Sequence, residues 1–303
     1  MLKLRKTEVT DTMLLSSTVA ENDHPEWVAN TAYTVGTYVI RPTTHRIYSC
    51  TGDITSDVPP EIDTANWNDE GPTNRWGMFD SKVSTATTAD NSMTVQLQPG
   101  RIDSIAFLGI ECQTITVDLT AGGESVFNAT YDMVNVNANV GDWGDYFLES
   151  VETVYDMGLS QIVDLTLANV AVYSEGVLTV TFDAPGETVT VGMMVVGMSY
   201  FVGDTQNDPD LGINNFTLRH MDGFGDVIEK RRPAAKDLKC DIRIDTERLD
   251  DVFYELFRGK DDDAVWITTD QHGSMIVFGH ATWRIKRKNS KITMISMQIK
   301  GTT

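Results

Sequence analysis

Apolar and polar residues alternate with a period of two along much of this chain. Met93-Thr94-Val95-Gln96-Leu97, Thr114-Ile115-Thr116-Val117-Asp118-Leu119 and Leu178-Thr179-Val180-Thr181-Phe182 each gather their apolar side chains on one face, the pattern of a half-buried strand. Pro99-Gly100, Ala121-Gly122-Gly123 and Pro185-Gly186 supply turn signals between such runs. Val191 to Met198 is apolar on both faces, which predicts a strand in the middle of a sandwich. Several strands at short intervals without a long amphipathic helix predict an antiparallel β-sandwich, or jelly roll, over residues 73–205. Its entrance is Asn74-Arg75-Trp76-Gly77-Met78-Phe79-Asp80, read as a strand whose rings plug the sandwich before Asp80 turns the chain outward.

Downstream the pattern changes. Residues 204–215 form a polar linker, and its three aspartates lack the spacing of a calcium-binding loop. Strands are predicted at 216–219, 238–244, 264–268, 275–278, 282–285 and 292–299. One helix interrupts them: Leu249, Val252, Phe253, Leu256 and Phe257 make a single apolar stripe, with Thr246 placed to cap it and Gly259 to stop it. The predicted fold class is therefore mainly β. An N-terminal strand or tail (1–20) leads to a small aromatic β module (21–72), a β-sandwich (73–205) and a C-terminal β-barrel-like unit carrying one helix (206–303).

The small module has its own signature. Glu26-Trp27, Thr31-Ala32-Tyr33-Thr34-Val35-Gly36, Tyr38-Val39-Ile40, Ile47-Tyr48-Ser49-Cys50 and the closing Trp67 are spaced through about fifty residues. So short a segment relies on a few large rings for its core. These residues resemble the chitinase-type carbohydrate-binding modules, in which some rings are core and a few exposed ones meet sugar. The sandwich, from its entry at Asn74 to the Gly-rich strand ending at Gly203, resembles the galactose-binding-like jelly rolls of tailed-phage tail proteins. The last unit resembles, in arrangement, the β-barrel-plus-helix units with which such tails build rings. Trp27, Tyr33 and Trp67, with Trp143 and Tyr146 in the loop Gly141-Asp142-Trp143-Gly144-Asp145-Tyr146, are the glycan-binding candidates, and for each a packed core role is the competing reading.

Charge divides the chain. Residues 206–303 hold 16 basic and 16 acidic residues, leaving 8 and 28 of the chain's 24 and 44 for residues 1–205. A strongly anionic front repels nucleic acid and favours solubility. The neutral rear bunches Arg284, Lys286, Arg287 and Lys288, candidates for docking on an acidic neighbour or, alternatively, charges that protect a strand edge. Cys50, Cys112 and Cys240 are odd in number and far apart, which argues against a disulfide framework or a zinc site and suits a reducing cytoplasm. No run of 18 apolar residues occurs, and the N-terminus lacks the apolar stretch of a secretory signal.

Catalytic signatures are missing as well. The sequence contains no G-x-S-x-G, no phosphate-binding G-x-x-x-x-G-K, no G-x-G-x-x-G and no H-E-x-x-H. No enzyme activity, metal or cofactor is expected. The resemblances imply a virion structural protein of a tailed phage, assembled in the host cytoplasm and sited at the tail tip or an appendage base. Its partners would be other tail proteins and further copies of itself, without nucleic acid or membrane insertion. Two readings stay open: β-domains that present rings to a host-surface polysaccharide, or an adaptor that contacts tail proteins alone.

Overall fold

The computed structural model describes residues 1–133, 165–167, 172–206, 209–221, 227–230, 234–268 and 273–302. The chain is mainly β, with antiparallel sheets and one α-helix among the described residues. It opens with β1 (Leu2–Lys6) and β2 (Leu14–Ser17), and β1 turns out to join the two largest parts of the molecule.

The small module follows. β3 (Thr31–Tyr33), β4 (Tyr38–Arg41), β5 (Arg46–Cys50), β6 (Ile54–Ser56) and β7 (Trp67–Pro72) form a β4-β5-β7 sheet and a β3-β6 pair. Trp27, Val39, Tyr48, Cys50 and Trp67 make its core, with Tyr33 and Ile54 at the margin. Five side chains, three of them aromatic, replace the larger core that fifty residues cannot build.

The entry segment is not a strand. Asn74–Phe79 coils into a 3-10 helix with Trp76, Gly77, Met78 and Phe79 buried. A strand would send alternate side chains to opposite faces, whereas the tight coil delivers Trp76, Met78 and Phe79 to the one sandwich core. Gly77 is required here, since a Cβ would lie 2.8 Å from the carbonyl oxygen of Ala86.

The sandwich is made by β8 (Thr87–Leu97), β9 (Ser104–Glu111), β10 (Thr114–Ala121), β11 (Glu124–Asp132), β12 (Leu165–Leu167) and β13 (Val177–Phe201). β13 is 25 residues long and changes partners along its length. Val177–Asp183 lies between β8 and β10, and Thr190–Gly197 pairs with β9. Between these halves the β8–β13 register shifts, where Gly186 (φ 85°) donates its N–H to Asn91 Oδ1 at 2.9 Å and Asn91 itself has φ 63°. A bulge bends a strand and lets it serve two sheets. Both halves thereby face one core that includes Leu178, Val180, Phe182, Met194 and Val196.

The rear unit comprises β14 (Asp204–Thr205), β15 (Asp210–Asn215), β16 (Leu218–Met221), β17 (Val227–Lys230), β18 (Ala234–Asp245), α1 (Leu249–Arg258), β19 (Ala264–Ile267), β20 (Ile276–Arg287) and β21 (Ile292–Gly301). The stretch read as a linker is instead sheet edge, because β14 and β15 both pair with β18. Thr246 does not cap α1. Its hydroxyl meets Asn289 O at 3.3 Å and Thr293 Oγ1 at 3.0 Å, and a short 3-10 turn leads into the helix. Gly259 does end α1 but has φ −103°. Its role is space: a Cβ would lie 2.6 Å from Lys3 Nζ.

β1 pairs with the end of β13 on one side and with β19 on the other. Front and rear therefore share one continuous sheet. A separate apolar cluster backs the seam, with Leu4 between Ala106, Leu108, Met193 and Val195 of the sandwich and Val265, Ile267, Ile276 and Phe278 of the rear. That second contact is why Val191–Gly197 is apolar on both faces, whereas Met198 is exposed.

Candidate functional site

The predicted sugar platforms do not share one surface. Trp67 is 3% exposed and Trp27 9%. Both rings lie in the module core, where Tyr33 meets Trp67 edge to face at 5.2 Å. The outer side of Trp27 is covered by Arg41, whose guanidinium carbon sits 5.0 Å from the ring centroid. Arg41 is held in turn by a two-pronged ion pair with Glu61, at 2.9 and 3.1 Å. Burial opposes ionisation of Glu61, yet the hydrogen bonds from Arg41, a backbone hydrogen bond and the Arg41 charge together outweigh it and hold the carboxyl below its ordinary range. Trp27 and Trp67 thus take the packed core role that competed with sugar contact. The Tyr33 hydroxyl accepts from the Val28 N–H at 2.7 Å, and its ring remains half-buried. Trp143 and Tyr146 lie outside the described residues.

Within the small module an exposed ring escaped the sequence reasoning. Tyr38, 44% exposed, is stacked on His24 with centroids 5.2 Å apart. It alternates with buried Val39 on β4, so the period of two carries the signal, but only the structure shows which face is outside.

A polar cleft lies where the module, the N-terminal segment and the 3-10 helix meet, lined by Asp11, Thr44, His45, Arg46, Trp76 and Asp80 among others, with a volume of 450 Å³. His45 adopts φ 55° at the β4–β5 turn and places its imidazole flat on Trp76, centroids 3.9 Å apart. Its ring nitrogens sit 2.5 Å from Asp11 Oδ1 and 3.0 Å from Glu21 Oε1. Glu21 also accepts from the Thr73 hydroxyl at 3.0 Å. Lys6 Nζ donates to the carbonyls of Phe79 (3.0 Å) and Asp80 (2.5 Å), two residues of the cleft lining, tying off the 3-10 helix. Burial lowers the Lys6 pKa and raises that of Asp80, with their mutual attraction opposing both shifts. This arrangement fastens the module to the sandwich. No group of three or more His, Cys, Asp or Glu side chains is placed to hold a metal ion, among the described residues.

The basic candidates gather at one end of the rear unit. Arg284 and Lys286 project outward from β20, alternating with half-buried Trp283 and Ile285, and Arg287 and Lys288 continue into the exposed β20–β21 turn. Alternation along β20 accounts for Arg284 and Lys286, while Arg287, Lys288 and exposed Lys291 belong to the strand end and the turn.

No known protein family matches the chain, and no curated protein is similar to it in sequence.

Proposed function

We propose that the chain is a structural subunit of a tailed-phage tail, an adaptor whose β-domains contact other tail proteins. It is assembled in the host cytoplasm and carried in the virion near the tail tip or an appendage base. The observation that carries the adaptor reading over glycan display is the packing of Trp27 and Trp67, whose ring faces are taken up inside the module. The continuous sheet through β1 also supports it, because a subunit that transmits load benefits from a rigid front-to-rear connection. The phage assignment itself rests on the resemblances in the sequence. A second reading, adhesion to a host-surface glycan, draws on the exposed Tyr38–His24 stack.

Complementation of a tail-assembly system tests the proposal. Charge reversal at Arg284, Lys286 and Arg287 is expected to block incorporation while the purified chain keeps its fold. Unchanged incorporation would remove the docking role. Saturable binding of the full chain to a host polysaccharide array, abolished by Tyr38→Ala, would replace the adaptor with the adhesin.

A further inference from the structure

β20 is paired unevenly along its two edges. β21 runs beside all of Gly279–Arg287, whereas β19 pairs only with Ile276–Gly279. From Ala281 to Arg287 the second edge has no strand beside it among the described residues. The ladder fixes where the backbone groups of this stretch point. The Thr302 N–H donates to Phe278 O and the Lys288 N–H to Ile292 O, each at 3.1 Å, so the even-numbered residues turn their N–H and C=O toward β21. Ala281, Trp283, Ile285 and Arg287 turn theirs outward, and no backbone partner meets them among the described residues. Such an unpaired edge is a template for another strand.

Side chains select what can pair there. Arg284 and Lys286 are exposed on the outer face and make no ion pair among the described residues. Across the sheet from Arg284 come Ser296 and then Asp241, whose carboxylate already accepts from the Ser296 hydroxyl at 2.6 Å. A second copy of the same edge would set these cations against their own kind, and like charges directly opposite each other destabilise a strand pair. An acidic strand meets the reverse condition. Arg284 and Lys286 alternate with the outward-bonding residues, so carboxylates opposite them fall in the non-hydrogen-bonded pairs, where side chains come closest.

We infer that β20 takes up an extended acidic segment of a partner protein as an added antiparallel strand along Ala281–Arg287. Main-chain hydrogen bonds to Ala281, Trp283 and Ile285 hold the segment, and ion pairs at Arg284 and Lys286 choose it. The inference rests on the docking role proposed for these cations and specifies its chemistry. The same two side chains keep the edge from pairing with itself and admit one class of partner.

The experiment uses the full chain and a synthetic peptide, acetyl-Thr-Glu-Val-Glu-Val-Glu-Thr-amide, with binding titrations and NMR-detected hydrogen exchange. In the free chain the amides of Trp283 and Ile285 are expected to exchange fast and those of Arg284 and Lys286 slowly, and saturating peptide is expected to slow the first pair. Methylating the peptide nitrogens of the valines, which lie between the glutamates, removes donors aimed at β20 and is expected to abolish binding. Methylating those of the glutamates is expected to leave it intact. Ile285→Pro removes one outward donor without touching the β21 ladder and is expected to weaken binding. Arg284→Glu with Lys286→Glu is expected to lose this peptide and gain its lysine counterpart. Strand addition is overturned if Trp283 and Ile285 are already protected in the free chain, if the peptide fails to bind the folded chain, or if both methylated peptides bind alike. That last result leaves charge alone as the docking force. Peptide binding of the expected pattern, with charge-reversed chains still incorporated into tails, would instead remove the docking role and leave the strand site standing.

Discussion

Phe107 and Phe182 meet edge to face, with ring centroids 5.5 Å apart and planes at 88°. Phe182 stands on the first half of β13, and Phe107 on β9, the partner of its second half. Their contact is where the bent strand closes the sandwich on itself, and both rings are fully buried. Phe107→Ala and Phe182→Ala are each expected to destabilise the chain by about 3–5 kcal/mol, measured by urea denaturation. The double variant should lose less than the sum, because the two rings share one contact.

β1 is held to β13 by close backbone approach. A Cβ on Gly197 would collide with the carbonyl oxygen of Arg5, at the point where Lys6 pairs with Gly197. Gly197→Val is expected to push β1 off β13 and loosen the seam without dissolving the sandwich core. Hydrogen exchange should then rise in β1 and β19 first, while β10 stays protected.

Asp80 supplies a pH signature. Burial raises its folded-state pKa above the ordinary Asp value of 3.8, so between those two values the folded chain binds more protons than the unfolded one. Stability attributable to this group therefore falls as pH rises through that window. Asp80→Asn is expected to be more stable than the parent at neutral pH, with the difference vanishing below the ordinary Asp value. Thermal melts at pH 3.5 and 7 measure it.

The three thiols are buried and unpaired with one another. Burial pushes Cys112 up to about 12 and Cys240 up to about 11, which leaves almost no thiolate at neutral pH. Ellman's reagent is expected to find no reactive thiol in the native chain and three after denaturation. A fast-reacting thiol in the native state would contradict the packing.

Lys3 is a buried cation, 2% exposed, with Nζ 3.4 Å from the Glu255 carbonyl and 3.8 Å from its carboxylate. Desolvation lowers its pKa despite Glu255. Lys3→Met is expected to stabilise the fold at neutral pH by roughly 1 kcal/mol, since an apolar side chain of similar length removes the desolvation penalty. Gly259→Ala should be better tolerated in that background, because the colliding Nζ is gone.

The β fold class was legible because a half-buried strand writes its geometry into alternate residues. Leu178, Val180 and Phe182 point inward and the threonines between them outward, as the pattern requires. The helix stripe was equally legible, but Leu249–Arg258 turns only part of it inward, since the sheet beneath covers Val252 and Leu256 and leaves Phe257 in water. The entry segment and the 204–215 stretch were misread for a common reason. A polar or mixed sequence pairs at a sheet edge, or coils, according to what long-range partner reaches it.

Local chemistry alone determined that this chain is β-rich, that its front is anionic and its rear neutral, and that a ring-rich module leads it. Tertiary structure decided which rings are sealed, that β1 fuses front and rear into one sheet, and which apolar residues of the rear unit face water. Periodicity records whether a side chain is buried, because burial selects for hydrophobicity at each position separately. It does not record which distant strand does the burying. That depends on partners far apart in sequence, and on bends such as the one at Gly186 that bring them together.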